Sequence, residues 1–75
     1  MKQNNMTVIA ETMANLVAVT RNFSEQYENI RECPFYSELK GMERMLKMLG
    51  IEFEYEYDAS YTITAVMVDG CKAIA

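Results

Sequence analysis

The sequence predicts a small α+β domain: an antiparallel helical hairpin packed on one face of a small antiparallel β-meander, in the order ααββ, with a short third strand able to follow. Three observations predict it. Apolar residues recur at steps of three and four through the first fifty residues. A glycine stop at Gly50 closes the second of these stretches. From Ile51 the apolar period drops to two, with glutamate in the alternate places.

The first helix follows from Met6, Ile9, Met13, Leu16, Thr20, Phe23, Tyr27 and Ile30, which succeed one another at steps of three and four and place a helix at 6–32. The β-branched residues between Leu16 and Thr20 lower helix propensity by about a few tenths of a kcal/mol each, and the periodicity outweighs them. Asn5 or Thr7 can cap the start. Asn22-Phe23-Ser24 is a place where the helix can bend or break. Pro34 disfavours the α conformation at Cys33 and suits the first turn of a new helix. That second helix, 34–49, carries Phe35, Leu39, Met42, Leu46 and Leu49 as its apolar stripe. Met45 and Met48 broaden the stripe, and Lys40, Glu43, Arg44 and Lys47 take the other side. Gly50 then adopts a left-handed stop, with Ile51 folding back on Leu46.

The strands are expected at 51–57, 61–68 and 71–75. In the first, Ile51, Phe53, Tyr55 and Tyr57 point one way, and Glu52, Glu54, Glu56 and Asp58 the other. Asp58-Ala59-Ser60 forms a short turn. The register that keeps apolar with apolar pairs Tyr55 with Ile63, Phe53 with Ala65 and Ile51 with Met67. It places Val66 and Val68 on the outer face. Asp69-Gly70 is a two-residue hairpin signal. The short third strand after it sets Ile74 beside Ala65 on the core face, and Cys71 and Ala73 outside.

Composition narrows the function classes. The 75 residues make one domain, 1–75, with a small core. The net charge of −4 lies wholly in the last third: residues 1–50 hold six acids and six bases, residues 51–75 five acids and one base. That balance argues against direct nucleic-acid binding, which needs a basic footprint. With no histidine, Ser-His-Asp and Cys-His catalysis are absent. No GxxxxGK[ST] or GxGxxG motif is present, so no cofactor is expected. Two cysteines without histidine do not make a tetrahedral zinc site. No apolar run is long enough to span a membrane. The polar start Met1-Lys2-Gln3-Asn4-Asn5 does not read as a signal peptide, so the expected compartment is the cytoplasm, with Cys33 and Cys71 as free thiols.

Two sets of residues could carry function. Glu52, Glu54, Glu56 and Asp58 form a row spaced by about 6.5–7 Å. The row is either a face for a basic protein surface or the wet side of a half-buried strand. Val66, Val68, Cys71 and Ala73 would form an apolar outer patch suited to self-association as a homodimer, with an open strand edge beside it. Met42, Met45 and Met48 fit core packing or an adaptable surface. Tyr55, Tyr57 and Tyr61 cluster near the hairpin tip.

The stretch from Gly41 to Ile51, followed by Glu54-Tyr-Glu-Tyr-Asp58 and Thr62-Ile-Thr-Ala-Val-Met-Val-Asp-Gly70, resembles small proteins carried by bacterial phages and mobile elements. The resemblance implies an accessory or inhibitory binding role of the anti-restriction or anti-CRISPR kind, and no activity. The leading expectation is a non-enzymatic, self-associating interaction protein. One alternative is an acidic inhibitor that blocks a basic groove of a nucleic-acid enzyme. Another is a minor enzyme subunit using a carboxylate or Cys33.

Overall fold

Two helices lie on one face of a three-stranded antiparallel sheet in a computed structural model that describes residues 5–23, 26 and 29–75. The elements are α1 (Asn5–Phe23), a 3₁₀ turn (Ile30–Glu32), α2 (Pro34–Met48), β1 (Phe53–Tyr57), β2 (Ile63–Val68) and β3 (Cys71–Ile74). The expected α+β class, with its helical hairpin and meander, is what the chain adopts.

The first helix is shorter than its stripe suggests. It ends at Phe23, and a separate 3₁₀ turn precedes α2. Tyr27, which continued the stripe, lies outside the described residues. Spacing alone cannot separate one long helix from shorter helical turns in phase; the helix ends at Phe23, within the stretch where a bend or break is expected, and Ser24 lies outside the described residues. Across the hairpin the rings of Phe23 and Phe35 meet at 5.9 Å.

Ala10, Met13, Ala14 and Val17 are the buried residues of α1. Their spacing puts them on one face. The two alanines let the helix backbone come close to β2 and β3, the strands it packs against, while α2 packs mainly on α1. Pro34 opens α2, and a left-handed glycine closes it as expected. Gly50 has φ 71, its N–H donates to Lys47 O at 3.2 Å, and the Ile51 N–H donates to Leu46 O at 2.9 Å. These are the two bonds of a Schellman stop.

The β2–β3 pairing matches the expectation, with Val68 opposite Cys71, Val66 opposite Ala73 and Ala65 opposite Ile74. The β1–β2 pairing does not. Phe53 faces Val68, Tyr55 faces Val66, Glu56 faces Ala65, and a bulge then sets Tyr57 opposite Ile63. The turn runs on to Thr62, with the Asp58 N–H donating to Thr62 O at 3.0 Å. The longer turn and the bulge together displace the pairing by an odd number of residues, which exchanges the two faces of β2.

The self-association patch is corrected by this register. Val66 and Val68 are wholly buried, and Ala73 is nearly so, in the core against α1. Cys71 is half-buried beside them. Ile74, expected in the core, is 74 % exposed on the outer face. The outer face of the sheet therefore carries Glu54, Glu56, Met67, Lys72 and Ile74, with Ala65 covered between its neighbours.

Candidate interaction site

Three surfaces follow from this fold. The first is the outer face of α2. Its buried residues are Leu39, Glu43 and Leu46. The opposite side carries Gly41, Met45 and Met48 at helical spacing, with Leu49 just beyond the last turn. Met45 is 60 %, Met48 81 % and Leu49 65 % exposed. Leu49, expected in the apolar stripe, is the C-cap, where the chain turns away from the core. Gly41 lies among these residues, and a Cβ built on it would meet no atom within 4 Å. Among the described residues, nothing uses the space that glycine leaves.

The second surface is the acidic row. Glu52 and Glu54 are exposed. Glu56 is bridged across the sheet to the Lys72 ammonium at 2.9 Å. The Asp58 carboxylate is engaged in its own turn, accepting from the Ser60 N–H at 2.7 Å and the Thr62 N–H at 3.1 Å. The row is thus two open carboxylates and two occupied ones.

The third surface is a cleft of about 340 Å³ between α2, the end of α1 and the tip of the β1–β2 hairpin. Because α2 leans on α1, it stands apart from β1 and leaves a wedge. Val17, Leu39 and Ile63 supply its apolar lining. Tyr57 and Tyr61 stand at its exposed rim, and Tyr61 is 87 % exposed. The β2 bulge shapes this end of the sheet: Arg21 donates to the Ile63 carbonyl at 3.2 Å, and the Thr64 hydroxyl donates to Glu56 O at 3.3 Å.

A polar bridge crosses the wedge. The Tyr55 hydroxyl donates to the Glu43 carboxylate, and the Lys40 ammonium lies 3.3 Å from the same group. Burial, followed by the hydrogen bond to Glu43 and that group's charge, holds the Tyr55 phenol well above its ordinary value. Tyr55 therefore remains a hydrogen-bond donor at every pH near neutrality. The Thr20 hydroxyl oxygen lies buried at the cleft without a hydrogen-bond partner.

No protein-family model, curated protein or solved structure matches the chain. Function is read from the surfaces alone. Among the described residues, no group of three or more Cys, Asp or Glu side chains is placed to hold a metal ion, and no helix is long and apolar enough to cross a membrane. Cys33 is fully buried at the N-cap of α2, and both cysteines are free thiols.

Sequence reading found Tyr55, Tyr57 and Tyr61 but not the residues that meet them. Glu43, expected on the polar side of α2, is buried. The signal was present: Glu43 stands four residues after Leu39 and three before Leu46, the spacing of one helix face. Thr20 stands in the helical stripe, whereas Arg21 carries no comparable signal, because its bond to the Ile63 carbonyl depends on where β2 is placed.

Proposed function

We propose that this chain is a non-enzymatic protein that acts by contact, and that it self-associates through the outer face of α2. The observation that carries this reading is the exposure of Met45, Met48 and Leu49 on one side of a helix. Large apolar side chains grouped on a surface favour contact with another apolar surface. A second copy fits the face because knob and hole share it. Gly41 lies one turn before Met45, so an antiparallel pairing about a two-fold axis seats each Met45 over the partner's Gly41. A mid-helix glycine costs about 0.5–1 kcal/mol relative to alanine, and close approach of a second helix gives that cost a purpose. So small a domain also buries a modest fraction of its own surface, and pairing adds to it.

The acidic row gives less support to a basic partner, since Glu56 and Asp58 are already engaged. The two readings differ in salt dependence. Lys40, Arg44 and Lys47 flank the stripe in both copies, and each copy carries a net charge of −4. Added salt screens that repulsion and should strengthen self-association, whereas it would weaken docking on a basic surface.

Size-exclusion chromatography with light scattering tests the proposal. The expected result is a dimer at micromolar to submillimolar concentration, favoured by salt. The double variant Met45→Lys, Met48→Lys should run as a monomer with unchanged helix content. A wild-type chain that stays monomeric throughout removes the reading.

A further inference from the structure

The N-terminal half of α2 holds a groove whose lining is basic and contains no acid. It lies between the 3₁₀ turn and α2, with a volume of about 310 Å³. Arg31 lines it from the turn, and Tyr36, Ser37, Lys40, Gly41 and Arg44 line it from the helix. We infer that this groove binds a small phosphomonoester, with the phosphate group between Arg31 and Arg44.

The sequence builds the groove in two steps. Arg31 belongs to a turn that is tied down before α2 begins. Its N–H donates to Asn29 Oδ1 at 3.0 Å, and the Glu32 N–H donates to Asn29 O at 2.9 Å. Pro34 then starts the helix, and Ser37, Gly41 and Arg44 follow at steps of four and three along its exposed side. Gly41 is the floor. A Cβ there would meet no atom within 4 Å, so the missing side chain leaves open space between its neighbours.

Charge selects the ligand. Lys40 is already engaged, by Glu43 at 3.3 Å and by the Tyr36 ring at 5.3 Å. Arg31 and Arg44 differ from it. Both are exposed, and among the described residues neither guanidinium has a hydrogen-bond or ion-pair partner. Two like charges lining one groove repel each other mildly until an anion lies between them. The net charge of −4 does not offset this, because its excess lies in residues 51–75, none of which lines the groove. Guanidinium forks match phosphate oxygens bidentately, and a phosphate offers three acceptor oxygens on one atom. Both forks and the Ser37 hydroxyl can converge on such a group, whereas a carboxylate has two oxygens and suits one fork. The volume leaves room for the phosphate and a few further heavy atoms.

Binding here requires no second copy. The groove meets the proposed contact face at Gly41, so a bound phosphate and a second copy exclude each other there. The test is a ¹H–¹⁵N NMR titration of the full chain with glycerol 3-phosphate at constant ionic strength, reading backbone amides and arginine Nε–H groups. Saturable shifts should gather on Arg31, Ser37, Gly41 and Arg44 at millimolar ligand. Arg31→Gln and Arg44→Gln should each weaken binding by about 2–5-fold, the value of one exposed ion pair. Both are surface changes that should keep the fold. Succinate, a dianion without a phosphate, should bind more weakly. Met45→Ser, Met48→Ser removes the contact face without altering the groove lining or the charge, and should bind at least as tightly as the wild type. Absence of saturable shifts, equal binding of succinate, or unchanged affinity in either arginine variant would each overturn the inference. So would loss of binding in Met45→Ser, Met48→Ser, which would move the site to the contact face. An acetylated Asp-Glu-Asp-Glu amide that bound ten-fold tighter than glycerol 3-phosphate would overturn it too, by assigning the groove to an acidic protein partner. A wild-type chain that stays monomeric removes the self-association reading and leaves each of these outcomes with the same meaning.

Discussion

The two hairpins of the sheet share β2 and are built on opposite terms. The β2–β3 turn is two residues, Asp69 at φ 50 and Gly70 at φ 82, a conformation that Asp-Gly favours and that matches the twist of the strands. Its ladder runs in step from Val68↔Cys71 to Ala65↔Ile74. The β1–β2 turn is longer, places Tyr61 at φ 60, depends on the Asp58 carboxylate for two of its bonds, and leads into a bulge. One turn is specified by its own residues. The other is a disfavoured conformation held by its surroundings, and it stands at the rim of the cleft. The comparison places the conformational cost of this small sheet beside the candidate site.

The largest expected effect tests the register that follows from this asymmetry. Val66 faces Tyr55 and Ala73 and is wholly buried, so Val66→Ala should lose about 2 kcal/mol or more of stability. Ile74→Ala should stay within about 0.5 kcal/mol, as exposed positions do. Urea melts of the two variants read the difference directly. The reverse ranking would restore the register that the alternation alone favours and return Val66 to the outer face.

The next effect sets the turns against each other with the same chemical change in opposite directions. Gly70→Ala forces a side chain into the left-handed region and should cost about 1 kcal/mol. Tyr61→Gly removes a strain of about 1–2 kcal/mol and adds about 0.5–1 kcal/mol of glycine entropy in the unfolded chain. The net result should be a gain of about 0.5–1 kcal/mol. Thermal melts with opposite shifts would bear out the contrast, and a destabilised Tyr61→Gly would mean that the tyrosine ring contributes packing its exposure does not suggest.

What was legible in the sequence divides along the same line. Local chemistry wrote itself plainly: Pro34 at a helix start, Gly50 at a helix end and Asp69-Gly70 at a tight turn each have one favoured geometry, and each is found. The strand period was legible as well. The β1–β2 register was not, because it depends on a turn whose αL residue is a tyrosine, and the expected signal at that place is glycine or asparagine. The bulge added one more residue of displacement, and with it the faces of β2 exchanged. Hence Val66 and Val68 moved from a presumed interface to the core, and Ile74 moved the other way. The apolar width of α2 was legible, but not its consequence. Seven apolar positions from Phe35 to Leu49 exceed what α1 and the sheet can cover, and the excess, Met45, Met48 and Leu49, became surface.

The smallest expected effect is a pH dependence that appears only in alkali. Tyr55 ties the first hairpin to α2 through Glu43, and its phenol is held above the ordinary value of 10.0. A group whose folded pKa is raised keeps its proton in the folded chain after the unfolded chain has released it. Its stabilisation is therefore complete below about pH 10 and declines as pH rises from there toward the folded value. Denaturant melts from pH 8 to pH 11 should show stability falling above pH 10 in the wild type, and falling less steeply in Tyr55→Phe. The β2–β3 hairpin carries no such tie among the described residues, and Tyr57 and Tyr61 are exposed. Equal slopes in both proteins would place the hydroxyl in water rather than on Glu43. The wedge between α2 and β1 would then lack the bridge that spans it, and the cleft would lose the feature that turns Glu43 inward.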